Sequence, residues 1–194
     1  MTIRNILVGF VFVSQVHAAE PFFRAPFKLT LAVDKERYYE QQVDKLPYVH
    51  ANVVYLFKGD RFGVRITSPN APGLPEVTYE PDLIKADVVF SFSQEHADAK
   101  WMMMLKLESR LDKPLYMSAL MTVPGKTGIY RTSILPLQPK LSNFESWPHP
   151  IVQLALKDFS FSAPSPNKSL QPTPTAVTPP AGAGVAPASG VAEH

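Results

Sequence analysis

Asn52-Val53-Val54-Tyr55-Leu56-Phe57-Lys58-Gly59-Asp60-Arg61-Phe62-Gly63-Val64-Arg65-Ile66-Thr67 is the stretch from which the fold class is read. Residues 52–57 and 61–67 are β-favouring runs in which apolar side chains recur at every second position, the period of a half-buried strand. Between them, Lys58-Gly59-Asp60 is turn chemistry, with Gly59 free to adopt a positive φ. Two such runs across three residues predict a β-hairpin.

The same period recurs outward in both directions. Phe27, Leu29, Leu31 and Val33 alternate with Lys28, Thr30 and Ala32, and five further β-favouring segments cover residues 87–93, 100–109, 115–123, 128–137 and 150–161. Three prolines in Ser68-Pro69-Asn70-Ala71-Pro72-Gly73-Leu74-Pro75 remove amide donors and fix φ, so that stretch is a long loop. One helix is expected near 36–46, where Asp34 is placed to cap it and Tyr39, Val43 and Leu46 fall on one face. About eight strands joined by short turns predict an all-β fold, an antiparallel two-sheet β-sandwich of immunoglobulin-like architecture. The Cys and Trp landmarks of true immunoglobulin domains are absent.

The ends of the chain differ from its middle. Arg4, an apolar run from Ile6 to Val13, and Val16-His17-Ala18 read as a signal peptide over residues 1–18, cleaved after Ala18, with Ala19 as the alternative. The apolar run is far shorter than the roughly 20 residues that span a bilayer, so it reads as a signal and not an anchor. This predicts an exported protein, periplasmic or extracellular. Residues 163–194 hold seven of the twenty prolines and almost no large apolar side chains. Such a composition predicts a disordered tail, because little burial offsets chain entropy. Within it, Asn167-Lys168-Ser169-Leu170-Gln171-Pro172-Thr173-Pro174-Thr175 resembles translated read-through into the recombination site of a mobile gene cassette, which implies that the tail carries no function. A single domain of residues 19–162 remains. With no cysteine in the chain, that domain must be held together by apolar burial alone.

Charge excludes one class of partner. The formal net charge is +2 with both signs interspersed, so nucleic acid has no electrostatic footprint here. No later segment has the length and apolarity of a membrane span. Gly125-Lys126-Thr127 lacks the earlier glycine of a phosphate loop, Leu120 standing in its place, and is explained by a turn after Pro124. No serine elbow, paired metal histidines or cysteine nucleophile is present in the sequence.

Trp101-Met102-Met103-Met104-Leu105-Lys106-Leu107-Glu108 puts Trp101, Met103, Leu105 and Leu107 on one strand face, the core face. With Asp112-Lys113 as a two-residue hairpin loop, Leu105 opposes Leu120 and Met104 opposes Met121. In that register Met102, Met104, Met117 and Met121 share the second face. Packing of flexible thioethers is the ordinary explanation. A Cu(I) site completed by His96, from Glu95-His96-Ala97-Asp98, is the metal alternative. An adaptable apolar surface for a partner is another. Among the aromatics, Trp147, Tyr130 and Tyr48 are the candidate platform for a protein or carbohydrate ligand, with Trp147 expected to lie partly exposed in a loop. The functional expectation is a non-catalytic binding or interaction module with no cofactor. The alternatives are a periplasmic soft-metal protein and a hydrolase without a sequence signature.

Overall fold

Backbone pairing follows the period-two pattern through most of the chain, and a computed structural model describes residues 22–67, 74–97 and 100–163. The signal segment, most of loop 68–75 and the tail after Ala163 lie outside the described residues. In chain order the strands are β1 (Phe23–Arg24), β2 (Phe27–Ala32), β3 (Tyr38–Val43), β4 (Leu46–Pro47), β5 (Val49–His50), β6 (Val53–Leu56), β7 (Arg61–Thr67), β8 (Glu76–Glu80), β9 (Val88–Ala97), β10 (Lys100–Ser109), β11 (Tyr116–Thr122), β12 (Tyr130–Thr132), β13 (Ser142–Trp147) and β14 (Gln153–Ser160).

Ten of them form two five-stranded antiparallel sheets, ordered β13-β10-β9-β7-β8 and β12-β11-β14-β6-β5. The pairs β1-β4 and β2-β3 form two small antiparallel sheets. The inner faces enclose one core, to which β7, β9 and β10 bring Phe62, Val64, Phe90, Phe92, Met103 and Leu105, and the other sheet brings Val54, Leu56, Leu154 and Leu156. The fold is therefore the expected all-β sandwich. Its five-plus-five strand arrangement differs from the four-plus-three of an immunoglobulin constant domain, so the likeness lies in layering.

Two expected hairpins are instead arches between the sheets. β6 pairs with β5 and β14, whereas β7 pairs with β8 and β9, so the turn at Lys58-Gly59-Asp60 carries the chain across the core. Gly59 does take a positive φ, 94°. Alternation is blind to this difference, because an arch and a hairpin both leave one apolar face per strand. Here the two apolar faces meet each other across the sandwich. In the same way β10 pairs with β9 and β13 and β11 pairs with β12 and β14, so neither Leu105 with Leu120 nor Met104 with Met121 is a strand pair.

The expected helix near 36–46 is strand β3. Asp34 Oδ1 accepts the amides of Glu36 and Arg37 at 3.0 and 2.9 Å, the donor pattern of a helix cap. The chain then turns back, and Tyr38 to Val43 pair with β2 from Ala32 to Phe27. Side-chain hydrogen bonding of this kind serves tight turns as readily as helices, and the aromatic and β-branched residues that follow favour the strand. The turn at Gly125 between β11 and β12 stands as expected, with Lys126 donating to the Val123 carbonyl at 3.2 Å.

Side chains close the rims of the sandwich by pairing with backbone. Gln94 donates to the Ala32 carbonyl at 2.8 Å and accepts its amide at 2.9 Å, tying β2 to the first large sheet. Asn52 does the same to segment 75–77, donating to the Pro75 carbonyl and accepting the Val77 amide. Along edge strand β13 the chain from Thr132 to Pro136 is held by side chains: Trp147 Nε1 donates to Thr132 Oγ1 at 2.8 Å, Glu145 accepts the Leu135 amide, and Asn143 donates to the Pro136 carbonyl. Pro136 and these inward polar groups occupy an edge that would otherwise invite pairing with another chain.

Candidate functional site

The outer face of the β13-β10-β9-β7-β8 sheet differs between its two ends. Toward one end, the turn from Asp82 to Ala86 lies on it. A Cβ on Gly63 would come within 2.4 Å of Ala86 Cβ and 2.9 Å of the Glu80 carbonyl oxygen, so only glycine fits beneath that turn. Arg110 Nη1 gathers the carbonyls of Leu83, Ile84 and Ala86 and fixes the turn in place. Val89, cross-strand from Gly63, is buried by this cover although it points away from the sandwich core.

Toward the other end no described residue lies over the face. Phe144 stands opposite Lys106, and Met104 opposite both Ser146 and Ser93, which puts Phe144 and Met104 on a diagonal with Met102 next along β10. Phe144 is 62 % exposed, while Met102 and Met104 are half-buried. Lys106 Nζ lies 5.9 Å from the Phe144 ring centre and 3.1 Å from Glu108 Oε1. The result is an apolar diagonal of one aromatic and two thioethers, bordered by Ser93, Ser146 and Lys106 and by Glu95, which stands opposite Met102. Sequence reasoning named Met102 and Met104 but missed Phe144, whose place beside Lys106 depends on the β10-β13 register.

The five residues of the metal alternative are not brought together. Met102 and Met104 point outward from β10, whereas Met117 and Met121 lie on β11 in the other sheet and pack against the core. His96 is exposed opposite Trp101, the two rings meeting edge to face at 4.9 Å. Among the described residues, no group of three or more His, Asp or Glu side chains converges on a point.

The aromatic candidates also separate. Trp147 is the last residue of β13 and 7 % exposed, contrary to the expected loop position: its indole packs edge to face against Phe92 and its N–H is satisfied by Thr132. Tyr130 is exposed on edge strand β12, its hydroxyl donating to the Thr127 carbonyl at 3.3 Å. Tyr48 is at the opposite rim, stacked on Tyr79 with centroids 4.7 Å apart and tilted against Phe62.

Over Tyr48 also lies the guanidinium of Arg24, 4.1 Å from the ring centre, with the Phe57 ring centre 5.1 Å away. Arg24 Nε and Nη2 donate to the two oxygens of Asp60 at 3.0 and 2.6 Å, and Nη2 also donates to the Tyr55 carbonyl at 3.0 Å. Nη1 is buried without a partner among the described residues, a cost of about 1–3 kcal/mol. Burial pushes the Asp60 carboxyl above its ordinary range, while the Arg24 guanidinium and the Phe57 amide pull the other way. Removing one partner of such a pair leaves an uncompensated buried charge.

Two open depressions lie on the surface of the described residues. One, of about 330 Å³, lies between Asn52, Pro75 and Asp158, and includes three residues at positive φ, Ala51, Asn52 and Asp158. The other, of about 200 Å³, lies between Asp34, Lys100, Trp101 and Pro148. No family model, curated protein or solved structure matches the chain.

Proposed function

We propose that the protein is an exported, non-catalytic interaction module that meets a protein partner through the Phe144-Met104-Met102 diagonal of its outer sheet face. The observation that carries this reading is Phe144, 62 % exposed on a strand whose inward Asn143, Glu145 and Trp147 are already engaged with the segment from Thr132 to Pro136. Its ring contributes little to folding where it stands, and large aromatics in such positions are the usual anchors of protein contacts. The adjacent thioethers add a surface that repacks around a partner, and the neighbouring serines, Lys106 and Glu95 supply a polar rim. Export rests on the reading of residues 1–18.

The test is photo-cross-linking in cells that secrete the chain, with the probe at Ser146 beside the diagonal or at Gln153 in the other sheet. A discrete adduct from Ser146 and none from Gln153 is expected. Phe144→Ser should weaken it by roughly thirtyfold, the equivalent of about 2 kcal/mol at a contact anchor. Identical adducts from both probes contradict the surface, and a secreted product that does not begin at Ala19 contradicts the processing.

A further inference from the structure

The Arg24 cage is made by one part of the chain and filled by another. Its walls, Tyr48, Tyr55, Phe57 and Asp60, all fall within residues 48–60, while the occupant comes from β1, joined to β2 only through Ala25-Pro26. The cage is matched to a guanidinium: two flat aromatic faces, a carboxylate meeting two of its nitrogens, and a carbonyl in reach of one of them. An ammonium offers neither the plane nor the fork that these partners read.

Arg24 is the one buried side chain that β1 contributes, and a few contacts accompany it. The β1 backbone pairs with β4 over two residues, and Tyr48 donates to the Phe22 carbonyl at 3.2 Å. Phe22 touches Tyr79 and Phe23 receives Lys45 over its ring, yet the two phenylalanines stay 54 % and 41 % exposed. A short segment joined through two residues, with one buried side chain filling the cage and a few backbone and aromatic contacts beside it, makes contacts that an identical segment from elsewhere reproduces.

We propose that the cage is an arginine-recognition site which β1 fills within its own chain and which the β1 segment of a second copy fills in trans. The ligand class is an extended peptide with arginine following aromatic residues. The site is independent of the Phe144 surface.

The probe is an end-blocked peptide of residues 21–26, Pro-Phe-Phe-Arg-Ala-Pro, added to the full chain carrying Arg24→Ala. Saturable binding that shifts the Tyr48, Phe57 and Asp60 NMR signals is expected, with the peptide bearing lysine for arginine at least tenfold weaker and binding lost in the Arg24→Ala/Asp60→Asn double variant. Should Arg24→Ala not fold alone, the peptide is expected to restore cooperative unfolding. A folded variant that ignores the peptide, a lysine peptide that binds equally, or an unfolded variant that stays unfolded overturns the site. Exchange between copies is then read by mixing Arg24→Ala chains, whose cage is vacant, with Asp60→Asn chains, whose arm is released. A one-to-one complex by sedimentation is expected from the mixture, and monomers alone overturn the second copy as donor.

Discussion

Asp34 shows how much one carboxylate does at the turn between β2 and β3. The Arg37 side chain bonded to it, with the amides of Glu36 and Arg37, lowers its pKa from 3.8 to about 2. A depressed folded-state value means that ionised Asp34 favours the folded turn. The contribution is fully present above the ordinary carboxylate range and is lost as pH falls from about 4 through about 2. The carboxyl carbon of Asp34 should therefore titrate near 2 by NMR, and Asp34→Asn should flatten the fall in urea midpoint over that window. A midpoint at the ordinary value would mean that the Arg37 contact does not persist in solution. The sequence made Asp34 legible as a backbone-capping residue. It left the element that follows open, because turns and helices offer the same amides two and three residues on.

From Met102 onward β10 divides its side chains as alternation predicts, Met103, Leu105 and Leu107 being wholly buried and Met102 and Met104 on the outer face, whereas Trp101, expected on the core face, is half-buried beyond the core beside His96. Met103→Ala should cost about 2–5 kcal/mol in denaturant unfolding, the range for a methionine removed from a packed core. Met102→Ala and Met104→Ala should each stay within about 0.5 kcal/mol. Equal costs at the three positions would contradict the facing of the strand. What alternation could not supply was the neighbour. Counting back across Asp112-Lys113 gives a definite hairpin register, yet Met104 lies between Ser93 and Ser146 because the chain at Asp112 passes to the other sheet. The same passage disperses the methionines, and it brings Phe144 beside Met104 from a strand that sequence reading left unassigned.

At the scale of the molecule, two arches and three side-chain clamps make one sandwich out of strands that are each plain in the sequence. The absence of native cysteine makes the arrangement directly testable by paired cysteines. Ser93→Cys with Met104→Cys, cross-strand neighbours, should oxidise to a disulfide that shifts mobility on non-reducing gels. Met104→Cys with Met121→Cys should not, since facing sheets lie about 10 Å apart and a disulfide spans Cα atoms no more than about 7 Å apart. Ready oxidation of the second pair would restore the hairpin register. By itself the sequence determined the all-β class, the inward face of strands such as β10 and the turn at Gly125, because each rests on the local chemistry of a few consecutive residues. Only the tertiary structure decided which strands share a sheet, that Trp147 is buried, and that Arg24 meets Asp60. Each of those depends on contacts between residues far apart in the chain, and side-chain periodicity within one strand carries no information about which strand lies beside it.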